Sequence, residues 1–164
     1  MLYDKNTLDN IKDLLSSEKL TLSVAESVTA GHLQAAFSSA TMASDFFQGG
    51  ITAYNAGQKC RHLDIEPIAA LENDSVTEKV ACDMAAKANI LFISDYAIAI
   101  TGYATKMPEK NVNELFAFFA IAHKQKIVLS KKITTDKEDT VDAQIDYTTQ
   151  VIKEFQNLLK NKAI

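Results

Sequence analysis

Apolar residues recur along this chain with two different periods. Leu8, Ile11 and Leu15 fall three to four positions apart, which predicts an opening helix with one buried face, ending near Glu18. Leu20-Thr21-Leu22-Ser23-Val24 alternates and is rich in strand formers, predicting a strand, and His32 to Ala40 returns to helical spacing after a Ser/Thr-rich turn. Phe46 to Tyr54 reads as a second strand, with Gly49-Gly50 marking a bulge or a close backbone approach. Asn55 to Leu63 predicts a short helix. Ser75-Val76-Thr77-Glu78 matches a capping box, and Val80, Met84, Ala88 and Leu91 follow at helical spacing. Tyr96 to Thr101 is an apolar strand ending in Gly102. Leu115 to Ala122 and Lys126 to Thr134 form a hairpin around His123-Lys124-Gln125, and these strands read as central and buried. A last helix spans Glu138 to Lys160, with Ile145, Ile152, Phe155 and Leu159 on one face.

Helices that alternate with strands and finish on a hairpin predict an α/β fold, a three-layer α/β/α sandwich with a mixed β-sheet. The 164 residues are the size of one domain, 1–164, and ligands are expected outside the strand ends where the loops converge.

Composition narrows the function classes. A 47% hydrophobic and 23% charged chain has the make-up of an ordinary globular protein, and no apolar run approaches the length that spans a bilayer. Asp4, Lys5 and Asp9 interrupt Leu2 and Leu8, so the N-terminus lacks the apolar stretch of a signal peptide, and a cytoplasmic location is expected. The formal charge of −4 argues against nucleic acid as a partner. His32, His62 and His123 stand singly, and Cys60 and Cys82 are too few and too far apart for a thiolate cage or a redox pair. No metal and no cofactor are expected, and the two thiols read as buried and free. Lys124-Gln125-Lys126 and Lys131-Lys132 read as a solvated hairpin.

The chemistry concentrates in two short segments. Ala25-Glu26-Ser27-Val28-Thr29-Ala30-Gly31 lies at a strand-to-helix junction, where unpaired backbone N–H groups welcome a phosphate, a carboxylate or an oxyanion. Ser27 or Thr29 as a plain helix cap is the competing reading. Tyr54 and Lys59 would point about 140° apart on one continuous helix, but they can converge if Tyr54 ends a strand and Lys59 sits on the next helical turn. A lysine beside a phenol, with its pKa lowered by burial, supplies a base near neutral pH, and a serine within reach becomes a nucleophile. Such a set can cut an amide without a metal. Against this stands a sheet-edge Tyr54 and a solvated Lys59 with no shared role.

From Leu20 to the last helix the chain resembles the C-terminal domain family of the competence-damage-inducible protein CinA, whose members include nicotinamide-nucleotide amidohydrolases. The family's A-E-S-C-T-G-G is similar to Ala25 through Gly31. Its serine followed by an aromatic-rich strand into G-F-V-T-Y-x-x-x-x-K is similar to Ser44, Phe46-Phe47, Gly50 through Tyr54, and Lys59. The V-S-E-x-V-A helix start resembles Val76 through Ala81, and the strand ending in T-G resembles Ile100-Thr101-Gly102. The resemblance implies cofactor-free hydrolysis of the carboxamide of nicotinamide mononucleotide, or of a related small-molecule amide or nucleotide, to the acid and ammonia. It implies Ser44 as first choice of nucleophile, Tyr54 and Lys59 moving protons, and Ser27 as rival nucleophile or ligand contact. Thr29, Ala30, Gly31, Thr101 and Gly102 are the implied substrate contacts, with an oxyanion hole at Thr29 to Gly31 or at the backbone around Ser44. A homodimer is expected.

The chain also departs from the family. A Gly-rich loop after the T-G strand is replaced by Gly102-Tyr103-Ala104-Thr105-Lys106-Met107-Pro108, and E-K-P-V-G-T becomes Glu109 through Glu114. Two family arginines fall near Lys137 through Asp142, where Glu138 and Asp142 bring like charge against a phosphate. Ala30 replaces a glycine, a milder change because helical φ suits alanine. Two readings follow: an amidohydrolase with an altered substrate, or a CinA-like module that binds ligand or assembles without catalysis.

Overall fold

In the computed structural model, which describes residues 2–162, five strands form one mixed sheet. The elements in chain order are α1 (Lys5–Ser17), β1 (Leu22–Glu26), α2 (His32–Ser38), β2 (Phe47–Thr52), α3 (Ala56–Leu63), α4 (Pro67–Leu71), α5 (Glu78–Phe92), β3 (Tyr96–Gly102), β4 (Leu115–His123), β5 (Lys126–Thr135) and α6 (Thr140–Lys162). The strand order is β2-β1-β3-β4-β5; β1 runs parallel to both its neighbours, and β4 is antiparallel to β3 and β5.

The two faces of the sheet are built from different side-chain sizes. Because alternate strand residues point to opposite faces, Val24, Ile98, Ile100, Phe119 and Ile121 meet α1, α2 and α6 through Leu8, Ile11, Leu15, Phe37, Val151 and Phe155. The opposite face presents Ala25, Ala97, Ala99, Ala120 and Ala122, and its small side chains give the alanine-rich face of α5, with Val80 and Met84, room to seat closely. This is the α/β/α layering that the periodicities predict.

Several local expectations change. The cap of α5 is Thr77, which accepts from Val80 N–H at 3.2 Å; Ser75 instead turns its hydroxyl to the carbonyl of Ala70. Leu91 lies on the solvent side of α5. β4 is central, but β5 is an edge strand with most of its residues partly or fully exposed, so only one member of the hairpin is buried on both sides. Cys60 and Cys82 are free and half-buried rather than buried. The glycine pair fulfils both of its readings. A register shift after Leu22 and a φ of 115° at Gly49 mark the bulge, and a Cβ on Gly50 would come within 2.4 Å of Val24 Cγ2.

Candidate active site

β1 leads to β2 on one side and pairs with β3 on the other, so the loops leaving β1 and β3 diverge above their C-terminal ends. A cleft of about 470 Å³ opens at this switch point, the place where open α/β sheets receive ligands. Ser27 and Val28 from the β1 turn, Tyr54 and Asn55 after β2, Thr101 and Gly102 at the end of β3, and Tyr103 and Lys110 beyond it line the walls.

The turn after β1 is organised by Glu26. This carboxylate is fully buried, and it accepts from Thr29 Oγ1 at 2.6 Å and from the backbone N–H groups of Gly31, Leu33 and Gln34 at 3.1, 2.9 and 2.8 Å. The start of α2 is therefore already occupied by an anion of the chain itself, as its unpaired donors and dipole favour. Thr29 is buried against Glu26, and neither Ala30 nor Gly31 lines the cleft. The expected oxyanion hole at Thr29 to Gly31 does not form. Ala30 also has a φ of 50°, left-handed rather than helical, so its replacement of glycine carries a conformational cost of about 1 kcal/mol.

Ser27 escapes this lock. Its N–H donates to Ile100 O at 3.1 Å, and its side chain faces the cleft, where Lys59 Nζ donates to Ser27 Oγ at 2.9 Å. Asn55 makes that meeting possible. Its Oδ1 accepts from Gln58 N–H at 3.0 Å, capping α3 so that Lys59, one turn on, points back under β1. Lys59 is 1% exposed, and Ser27 is the one hydrogen-bond partner of its Nζ among the described residues. Burial draws its pKa down from 10.5 to about 8.

The other expected participants separate. Tyr54 reaches the mouth of the cleft but is 68% exposed, and its contribution to Ser27 is a backbone carbonyl 3.5 Å from Oγ. Its phenol makes no hydrogen bond to Ser27 or Lys59 in this structure and stands at the mouth of the cleft. Ser44 sits in the exposed helical turn Ala43–Asp45 before β2, whereas Tyr54 and Lys59 follow it. The six residues of β2 separate those ends by about 20 Å at ~3.3 Å per residue. Within one chain Ser44 does not meet Tyr54 and Lys59, and the backbone around it cannot serve this cleft. Thr101 and Gly102 do line it, although the Thr101 hydroxyl already donates to Ser75 O at 3.0 Å.

A model of the CinA C-terminal domain matches residues 4–159. The chain belongs to the CinA C-terminal domain family. A CinA-like protein from Chlorobium chlorochromatii is 30% identical over 155 residues, 93% of this chain and 36% of that protein. Another from Flavobacterium psychrophilum is 31% identical over 151 residues, covering 90% and 35%. The chain thus spans about a third of the length of these two CinA-like relatives. Among solved structures, a CinA superfamily protein from Klebsiella pneumoniae superposes with a TM-score of 0.88 at 20% identity, covering 96% of this chain and 98% of that one. One from Escherichia coli gives 0.82 at 25% identity, covering 94% and 88%.

Four residues that shape the cleft or its turn had no role in the sequence reading: Glu26, Asn55, Asp74 and Lys110. Asn55 carried a local signal, an Asx residue ahead of a helical run. Asp74 and Lys110 carried none, because 36 positions separate two charges that only the loops bring together.

Proposed function

We propose that this CinA-like chain is an amidohydrolase that converts the carboxamide of nicotinamide mononucleotide, or of a related pyridine amide, to the acid and ammonia, with Ser27 as nucleophile and Lys59 as general base. The observation that carries the reading is the 2.9 Å contact between Ser27 Oγ and a buried amine at the edge of an open cleft. With a pKa of about 8, roughly a tenth of Lys59 is neutral at pH 7. That neutral amine accepts the Ser27 hydroxyl proton as Oγ bonds to the carboxamide carbon. Val28 is next in the chain and lines the cleft, and in this reading its N–H receives the developing oxyanion. The Lys59 ammonium then protonates the departing nitrogen, the C–N bond breaks, and ammonia leaves an ester on Ser27. Water, deprotonated by Lys59, attacks that ester; the acid leaves, and the proton returns to Ser27.

The test is ammonia release from nicotinamide mononucleotide, its riboside and nicotinamide by the purified protein. Ser27→Ala and Lys59→Ala are each expected to lower kcat/KM at least 1000-fold with the fold intact by circular dichroism. Retention of more than a tenth of the activity in either variant removes the dyad.

A further inference from the structure

The outer half of the cleft carries a charge arrangement that bears on which amide it takes. Both carboxylate oxygens of Asp74 accept from Lys110 Nζ, at 2.9 and 3.0 Å. The hydroxyl of Tyr103 is 3.1 Å from Asn73 O and 3.3 Å from Asp74 Oδ2. Asp74 is also held from behind. It has a φ of 56° between Asn73 and Ser75, which are left-handed too, and the Ser75 carbonyl is tied to Thr101. Three successive non-glycine residues in this region mark a segment whose surroundings hold it in place. The backbone that carries this carboxylate is therefore held at the cleft wall whether or not Lys110 remains with it.

Among the described residues Lys110 is the one cation in the lining itself, Lys59 lying beneath Ser27, and its charge is matched by Asp74. The chain has a single arginine, Arg61, which is exposed on α3 and does not line the cleft. A phosphate dianion entering here finds no guanidinium fork, and it must take Lys110 from Asp74 and then lie beside the carboxylate it displaced. A pyridinium ring meets the opposite conditions, with a carboxylate on one wall and the exposed ring of Tyr54 at the mouth.

We propose that the Asp74–Lys110 pair makes the cleft select a cationic pyridinium carboxamide nucleoside, a ribosyl amide without phosphate, over its 5′-monophosphate. The proposal rests on the amidohydrolase reading for its substrate class, and its test separates the two. Binding of nicotinamide riboside and nicotinamide mononucleotide to the Ser27→Ala protein is measured by calorimetry, beside ammonia release by the unsubstituted chain. The riboside is expected to bind at least tenfold more tightly than the mononucleotide. Asp74→Asn in the same background, an isosteric change that tolerates a left-handed φ, is expected to reduce that preference to threefold or less by releasing Lys110. Equal or tighter binding of the mononucleotide with Asp74 in place overturns the proposal. So does an unchanged preference in the Asp74→Asn variant, or binding of neither ligand. Absence of ammonia release with the binding preference intact ends the hydrolase reading and supports the selectivity.

Discussion

Two buried ionisable groups flank the same turn, and they are treated in opposite ways. On the α2 side, Glu26 gathers four donors within 3.1 Å and has no remaining task. On the cleft side, Lys59 is equally enclosed but has one hydroxyl for a partner. A saturated buried charge is a structural device, because removing it orphans everything bonded to it. An under-bonded buried amine is held at a cost and can lose its proton near neutral pH, which makes it available for chemistry. Motif positions one residue apart, Glu26 and Ser27, thus lie in opposite electrostatic settings.

The largest expected effect lies on the saturated side. Glu26→Ala strips the partners from the Thr29 hydroxyl and three backbone N–H groups, and should cost about 3 kcal/mol in urea unfolding. A loss below 1 kcal/mol would mean that water replaces the carboxylate and that the two sides are not so different.

Lys59→Met should do the reverse. The folded pKa of about 8 lies below the unfolded 10.5, so the folded chain binds fewer protons between those values. The cost of burying the ammonium is fully present below pH 8, shrinks as pH rises toward 10.5, and is gone above it. At 1.36 kcal/mol per pH unit this is at most about 3 kcal/mol, and Lys59→Met is expected to gain about 2 kcal/mol at pH 6 and nothing at pH 10.5. A loss of stability at pH 6 would place Lys59 with Glu26 as a structural charge.

The same titration sets a smaller, kinetic effect. Ammonia release by the unsubstituted chain should rise about tenfold from pH 7 to pH 9 and level off, as the fraction of neutral Lys59 grows. A flat profile would separate the rate from this amine. The smallest change is expected at Ser44. Ser44→Ala should leave the rate within twofold, because exposed Ser44 lies at the far end of β2. A tenfold loss would show that a second copy of the chain brings its own Ser44 to the cleft.

Much of the architecture was legible beforehand. The continuous apolar run from Tyr96 to Thr101, closed by Gly102, is enough to read as a buried strand. The spacing of Leu8, Ile11 and Leu15 likewise carried α1 to within a residue of its end. The edge position of β5 was legible in part: Lys126 and Lys131-Lys132 read as solvated, as the structure has them, whereas Ile127, Val128 and Ile133 have the β-branched character of a buried strand. At the site, the Tyr54 to Lys59 segment was recognisable by residue type, but its partner serine was not. Ser44 stands before the strand Phe46 to Tyr54 and Lys59 after it, so that separation was legible from strand length, whereas the approach of Ser27 to Lys59 depends on the parallel pairing of β1 with β2.

The chain by itself determined its periodicities, hence its helices and strands, its α/β layering and its CinA-like motifs, because these depend on residues a few positions apart. The tertiary structure alone decided that Glu26 closes the start of α2, that Lys59 reaches Ser27 across 32 positions, and that Asp74 meets Lys110. Those outcomes depend on strand order and loop paths, and the free energy of a buried or paired charge is set by the atoms around it in space rather than by its neighbours in sequence.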